Sequence, residues 1–223
     1  MLLLAVDTSG KHGSIALARC GPDVACEVLE VAALSGGTFS AELVPQIAAL
    51  LDKHVFSKAD IGAFAVVSGP GSFTGLRIGL AAIKALAEVL AKPIAAVSLL
   101  EVLATSGHSR GRVMAALDAG RNEVFLGEYE VGSAVTHPIR ERLLTRDEWL
   151  ESVGEEMIVT PDHTIAEAAR AKGLHVVEVE RPRSDAIAQL GWRKIVSGET
   201  VSSEALEANY IGRSEAELFV KGS

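Results

Sequence analysis

The residues best suited to chemistry form a glycine-rich loop between two apolar segments. Residues 61–68 are a short apolar stretch, residues 69–75 have the sequence GPGSFTG, and residues 74–91 are long, rich in Ala and Leu and free of proline. This pattern predicts a strand, a loop and a helix. The loop glycines leave backbone amides unshielded, and Ser72 or Thr74 can cap the helix that follows. The start of such a helix suits an anion.

The loop does not match the standard nucleotide-binding or nucleophile motifs. Leu76 stands where a Walker loop needs Lys, and Thr74 stands where a dinucleotide-binding loop needs Gly. Phe73 occupies the central position at which a hydrolase elbow carries its nucleophile. Spacing alone therefore leaves two alternatives open, phosphate binding by the loop or tight packing of its backbone.

Two aspartates end predicted strands in different halves of the chain. Asp7 is followed by Thr8 and Ser9, and Asp118 closes a strand of the second half. An Asp at such a position usually forms an Asx turn. Between two lobes the pair could instead face a shared cleft that holds a nucleotide and its cation. The residues expected to face a nucleotide or phosphate are Asp7, Thr8, Ser9, Gly69, Gly71, Ser72 and Asp118.

The helix predicted after the loop is apolar on more than one side. Its charged residues, Arg77, Lys84 and Glu88, are spaced seven and four apart and share one narrow stripe. Small residues at 75, 79 and 82 share another side, where a second helix could approach closely. The helix is therefore either buried in the centre of its own domain or part of a partner interface.

Composition narrows the class of protein. The chain has 223 residues, of which 48% are hydrophobic and 4% aromatic, enough for an Ala/Val/Leu core in one large domain or two lobes. A net charge of −8 opposes unaided nucleic-acid binding.

The six histidines show no metal-binding spacing, so we expect no metal site. We expect Cys20 and Cys26 to be reduced. We expect a cytoplasmic protein that does not enter a membrane.

The order of predicted elements repeats. Each half has the order βββαβαβα, with a helix at about 40–54 in the first half and one at about 184–197 in the second. The sequence AVDTSG at 5–10 resembles ALDAG at 116–120, at equivalent points of this order. We therefore predict two similar α/β lobes, residues 1–107 and 108–223, separated by a Gly/Ser/Arg segment.

Several of these segments resemble the TsaB (YeaZ) family of the bacterial tRNA threonylcarbamoyladenosine machinery. The resemblance lies in DTS at 7–9, SGPGSFTGLRIG at 68–79, ALA at 85–87, Pro93, VSLLE at 97–101 and ALDA at 116–119. It is dense from Leu2 to about Glu130, and residues 208–211 resemble the closing Tyr-containing segment of the family.

The resemblance implies both a fold and a role. The fold would be the actin-like/Hsp70-like ATPase (RNase H-like) fold with duplicated lobes. The role would be that of a non-catalytic adaptor for the catalytic paralogue TsaD, which works with the ATPase TsaE to place a threonylcarbamoyl group on N6 of the adenosine next to certain anticodons. No cofactor would be required, although weak nucleotide binding is compatible with this role. Residues 97–103 match the metal-binding helix of the catalytic relative and contain no histidine.

The resemblance also implies a partner surface. In the family, the helix at 40–54 and the helix after the glycine loop meet TsaD, and an identical copy can use the same surface in a homodimer. This chain has TFSAE at 38–42 where many members have a His-Ser-Glu-like run. No direct tRNA contact is expected. The expected interface residues are Leu43, Ile47, Leu50, Gly75, Arg77, Ile78, Gly79, Ala82, Ile83 and Leu86.

The alternative to the adaptor is an enzyme, an ATP-dependent phosphotransferase of the same fold. Asp7 and Asp118 would hold Mg²⁺, and the glycine loop would lie near the phosphates. No His, Lys or further carboxylate forms a comparably clear general-base motif. The sequence therefore favours the adaptor.

Overall fold

The structure, a computed structural model, describes residues 1–21, 24–35, 37–133 and 136–211. The end of the predicted C-terminal lobe, residues 212–223, lies outside the described residues. The elements of the first half are β1 (Leu2–Asp7), β2 (Gly13–Gly21), β3 (Val24–Leu34), α1 (Phe39–Lys53), a 3-10 turn (Lys58–Asp60), β4 (Ile61–Gly69), α2 (Phe73–Leu90), β5 (Ile94–Ser98) and α3 (Leu99–Ser106).

The second half repeats this order and confirms the predicted duplication. Its elements are β6 (Gly111–Gly120), β7 (Glu123–Val131), β8 (Thr136–Thr145), α4 (Arg146–Ser152), β9 (Met157–Thr160), α5 (His163–Ala171), β10 (Val176–Glu178) and α6 (Ser184–Ser197). The two five-stranded sheets have equivalent orders, β3-β2-β1-β4-β5 and β8-β7-β6-β9-β10. In each sheet the first three strands are antiparallel and the last two join in parallel.

The compact units differ from the predicted lobes 1–107 and 108–223. Unit 1 comprises Met1–Leu99 and Pro182–Asn209, whereas unit 2 is built on Leu100–Arg181. The helix that closes each half therefore belongs to the unit of the other half. Helix α6 packs on the strands of unit 1, and α3 lies against β7 of unit 2, where Leu100 contacts Gly127. Element order could not show this, because it does not determine which sheet a helix covers.

Small side chains explain how α6 packs on the first sheet. Strand register places four buried alanines side by side across β2, β1, β4 and β5, namely Ala16, Ala5, Ala65 and Ala95. On α6, a Cβ atom at Gly191 would lie only 2.4 Å from the Cβ of Ala65. A glycine on the helix and a row of alanines on the sheet therefore allow a close approach.

The other face of this sheet carries larger side chains. Leu17, Leu4, Phe64 and Ile94 form a buried row across the same four strands. Helix α1 begins over this face, since the ring of Phe39 lies 2.9 Å from the position of a Cβ at Gly13. Unit 1 is thus a sheet between α6 on its alanine face and α1 on its larger-residue face.

The core of unit 2 lies between its sheet and helices α4 and α5. Trp149 of α4 is fully buried there, among residues of β6, β7 and α5 such as Met114, Leu126 and Ile165. Helix α4 begins with the capping box Thr145–Glu148, in which the Thr145 hydroxyl accepts a hydrogen bond from the Glu148 amide at 3.2 Å. No helix in the described residues is long and apolar enough to cross a membrane.

The expectation of two reduced cysteines is wrong for this structure. Cys20 on β2 and Cys26 on β3 form a disulfide. The β2–β3 hairpin brings their Cα atoms to 4.2 Å, a closeness that the sequence separation of six did not reveal.

We predict that Gly191→Leu destabilises the protein, because the added side chain has no space against Ala65 and Ala95. Urea denaturation should show a loss in the free energy of unfolding of about 1–3 kcal/mol. Gln189→Leu, at an exposed position of the same helix, is the matched control and should be close to neutral. Equal stability of the two variants would contradict close packing of α6 on the alanine row.

Candidate functional site

The glycine loop and the start of α2 lie directly against the end of β1. A Cβ atom at Gly71 would lie 2.5 Å from the Ser9 carbonyl oxygen, and one at Gly75 would lie 2.0 Å from the Thr8 carbonyl oxygen. One turn further along α2, a Cβ at Gly79 would lie 2.3 Å from Thr8 Oγ1. These three positions need glycine because the strand end occupies the space of a side chain.

Hydrogen bonds connect the same two segments. The Thr8 hydroxyl donates to the Gly75 carbonyl oxygen at 2.7 Å, and the Ser72 amide donates to the Ser9 carbonyl oxygen at 2.7 Å. The Ser72 hydroxyl accepts from the Gly75 amide at 3.3 Å, so Ser72 is the helix cap, one of the two candidates from the sequence. Several loop amides and carbonyls are thus bonded within the protein.

The predicted nucleotide-facing residues of β1 are buried. Asp7, Thr8 and Ser9 are 2–3% exposed, and Asp7 Oδ1 accepts hydrogen bonds from the Ser9 amide at 2.8 Å and the Ser9 hydroxyl at 2.6 Å. Of the two alternatives left by the sequence, these contacts favour tight packing. Phosphate binding by the loop stays a prediction.

The remaining residues predicted to face a nucleotide have separate environments. A Cβ at Gly69 would lie 2.4 Å from the carbonyl oxygen of Asn209, which covers it. Asp118 is exposed in unit 2, where its Oδ1 accepts from the Gly120 amide at 3.0 Å, as in an Asx turn. A nucleotide and cation held by Asp7 and Asp118 also stay a prediction.

Six residues expected at the partner interface are buried in unit 1, and a partner contact through them stays a prediction. Leu43, Ile47, Leu50 and Ile83 are 0–4% exposed, and Gly75 and Gly79 lie under Thr8. The heptad-like apolar positions of each helix face its own core. Periodicity finds an apolar face, but it does not show whether a sheet or a partner covers that face.

The opposite faces of α1 and α2 are also apolar, and they are accessible. The two helices contact each other, and Val44 of α1 is 56% exposed, while Val89 of α2 is 78% exposed. Of the predicted interface residues, Arg77 is exposed, and Ile78, Ala82 and Leu86 are half-buried. We define the α1–α2 surface as Ala41, Val44, Pro45 and Ala48 of α1 with Ile78, Ala81, Ala82, Ala85, Leu86 and Val89 of α2.

The sequence contains a signal for the exposed residues of this surface. Val44, Ala48 and Ala81 fall outside the main apolar stripe, at positions where a helix on a sheet normally carries charge. The predicted charged line of α2 lies beside the surface, with Arg77 and Glu88 exposed and Lys84 half-buried. The Arg77 guanidinium stacks on the Phe73 ring, 3.8 Å from its centroid.

Ionic contacts attach the end of α1 to β3. Glu30 of β3 accepts a hydrogen bond from Lys53 Nζ at 2.7 Å, and its other oxygen lies 2.9 Å from His54 Nε2. The hydrogen bond from Lys53, followed by the one from His54, holds the pKa of the Glu30 carboxyl below its ordinary value. The carboxylate is therefore ionised at neutral pH and links α1 to the edge of the sheet.

Within the described residues, no three His, Cys, Asp or Glu side chains are arranged to hold a metal ion. Helix α3 includes most of the segment 97–103, which matches the metal-binding helix of the catalytic relative. Its one carboxylate, Glu101, is 6% exposed.

Known proteins are similar to this sequence over almost its whole length. Residues 34–200 match the family model "TsaD: tRNA N6-adenosine threonylcarbamoyltransferase". The tRNA threonylcarbamoyladenosine biosynthesis protein TsaB of Bacillus subtilis (strain 168) is 30% identical, over 97% of this chain and 96% of that protein. The chain belongs to the TsaB family. TsaB of Escherichia coli (strain K12) is also 30% identical, over 95% of this chain and 94% of that protein.

Solved structures of the TsaB family have the same fold. YeaZ from Pseudomonas aeruginosa has a TM-score of 0.75 and 27% identity, covering 93% of this chain and 99% of that chain. A second Pseudomonas aeruginosa structure, of an uncharacterised protein similar to peptidase YeaZ, has a TM-score of 0.76, 26% identity and coverage of 95% and 99%. The predicted TsaB family and actin-like/RNase H-like fold are confirmed.

We predict that Gly75→Ala lowers the free energy of unfolding by about 3 kcal/mol, because the new methyl group meets the Thr8 backbone, which cannot move aside as a side chain can. Thr74→Ala, at the neighbouring exposed position, should be much less damaging. Urea denaturation of both variants, in a buffer free of phosphate and nucleotide, measures the two free energies of unfolding. A fully stable Gly75→Ala protein would argue against packing as the reason for this glycine.

Proposed function

We propose that this chain is a non-catalytic adaptor for a TsaD-like paralogue. Together with a TsaE-like ATPase, the pair would transfer a threonylcarbamoyl group to N6 of the adenosine next to the anticodon of certain tRNAs. TsaB relatives are named for threonylcarbamoyladenosine biosynthesis, and the α1–α2 surface is the observation that carries the adaptor role.

The composition of the α1–α2 surface suits a protein partner. Exposed apolar side chains that adjoin one another on two packed helices are typical of an interaction site. Ala81, Ala82 and Ala85 are small enough for another helix to approach α2 closely. Standard stable interfaces bury roughly 800 Å² on each partner, an area that two helices of this length can supply.

The duplication of this fold among paralogues indicates how the partner would dock. The match to the TsaD family model, residues 34–200, includes both α1 and α2. A TsaD-like protein would therefore carry an equivalent helix pair, and the contact would join one pair to the other. The same surface would be self-complementary in a homodimer of this chain alone, which would exchange into a heterodimer when the paralogue is added.

Other features support a role without turnover of substrate by this chain. The polar groups at the end of β1 form hydrogen bonds within the protein, and residues 97–103 contain no histidine. The net charge of −8 favours tRNA binding by the partner over direct binding by this chain. The proposed role is cytoplasmic and needs no cofactor on this chain.

A reconstituted reaction tests the adaptor role directly. TsaD-like and TsaE-like proteins from the same cell, with ATP, Mg²⁺, a threonylcarbamoyl donor and tRNA, should modify the tRNA only when this chain is added. Modification at the full rate without the chain would overturn the proposal. Light scattering on a sizing column would show whether the homodimer exchanges into a one-to-one heterodimer.

We predict that Val44→Arg and Val89→Arg each weaken the heterodimer about thirty-fold or more, the effect of losing an interface residue worth at least 2 kcal/mol. Both valines are more than half exposed, at 56% and 78%, so the monomer should remain folded. The affinity can be measured by isothermal titration of the TsaD-like protein.

The matched control is Val196→Arg, the same change at a 64% exposed valine of α6, outside the α1–α2 surface. It should bind like the wild type. If the three variants bind equally well, the α1–α2 surface is not the contact. Gly79 is unsuitable for this test. Thr8 occupies the space beside it, so a large residue there would disrupt the packing of α2 on the end of β1.

A further inference from the structure

A segment near the C-terminus returns from α6 to the edge of unit 1. We call Val201–Asn209 the C-terminal strap. Val201 pairs with Ile94 of β5, donating from its amide to the Ile94 carbonyl oxygen at 2.8 Å. Further along, Leu206 is 1% exposed, and the Asn209 amide donates to the Ser68 carbonyl oxygen at 2.8 Å. The strap is therefore fixed at its two ends and in its middle.

A shallow, open groove lies between the strap and α2. Ser203 donates a hydrogen bond to a carboxylate oxygen of Glu88, which brings the strap beside the second half of the helix. The groove has a volume of about 370 Å³ and is lined by Lys84, Ala85, Glu88, Ser203 and Glu204. Ala85 also belongs to the α1–α2 surface, so the groove continues that surface along its charged side.

The charges that line the groove have a negative sum. Two carboxylates, those of Glu88 and Glu204, and one ammonium group, that of Lys84, line the groove. A hydrogen bond from Ser202, with a smaller contribution from the Lys84 charge, holds the pKa of the Glu204 carboxyl below its ordinary value. Glu204 is therefore ionised at neutral pH, and the groove carries an excess of one negative charge.

We propose that this groove receives a basic side chain, Lys or Arg, of the TsaD-like partner that docks on the α1–α2 surface. The aliphatic part of such a side chain would lie on Ala85, and its charged end would reach Glu88 and Glu204. The inference rests on the proposed function and adds to it a polar contact at the rim of the interface. Contacts of this kind set the register and the salt dependence of a complex.

The test compares Glu204→Lys with Glu207→Lys, which changes the net charge equally at an exposed residue of the same strap, outside the groove. Titration with the TsaD-like protein should show a dissociation constant raised about ten-fold or more by Glu204→Lys and nearly unchanged by Glu207→Lys, since Glu204→Lys places like charges together in the groove. Added salt should weaken the wild-type complex more than the Glu204→Lys complex.

A second variant keeps the test independent of any folding defect. Glu88→Gln retains the shape of the side chain and an acceptor for Ser203, and it should raise the dissociation constant by a smaller factor, about three-fold. Equal affinities of the wild type, Glu204→Lys and Glu88→Gln would contradict the binding of a basic side chain in the groove. The adaptor role would be unaffected by that result. If the wild type itself forms no heterodimer, the proposed function fails first.

Discussion

The contact between the start of α2 and the end of β1 determines the arrangement of unit 1. Three glycines of the loop and helix lie where Thr8 and Ser9 leave no space for side chains, and the Thr8 hydroxyl bonds to the Gly75 carbonyl. This contact fixes the rotation of α2 about its own axis. One side of the helix is committed to the strand, and the opposite side must face outward.

Because of that rotation, the side of α2 that faces outward carries apolar residues. The helix has more apolar residues than its own core uses, because Leu76, Leu80 and Ile83 are buried while Ile78, Ala81 and Val89 are not. Helix α1 shows the same excess at Val44 and Ala48. Exposed apolar surface of this extent is costly in water unless a partner covers it. The proposed adaptor role follows from this excess together with membership of the TsaB family.

The duplicated topology determines which elements border the α1–α2 surface. Each half supplies a five-stranded sheet of the same order, and the helix that closes each half belongs to the compact unit of the other half. In unit 1, this exchange brings α6 onto the alanine row and leads the chain back past β5 to the C-terminal strap. The strap then places a charged residue, Glu204, at the edge of the α1–α2 surface, whose side chains are mostly apolar.

The sequence by itself determined the element order, its duplication, the Thr145–Glu148 capping box and the TsaB family, because periodicity, caps and the loop motif are local properties. It could not show how closely the loop packs on the end of β1, nor which face of α1 and α2 is accessible. Those answers depend on which segment approaches each face, and such contacts join residues far apart in the chain, as Thr8 and Gly75 are. Only the tertiary structure showed that Leu43, Ile47 and Gly79 belong to the interior.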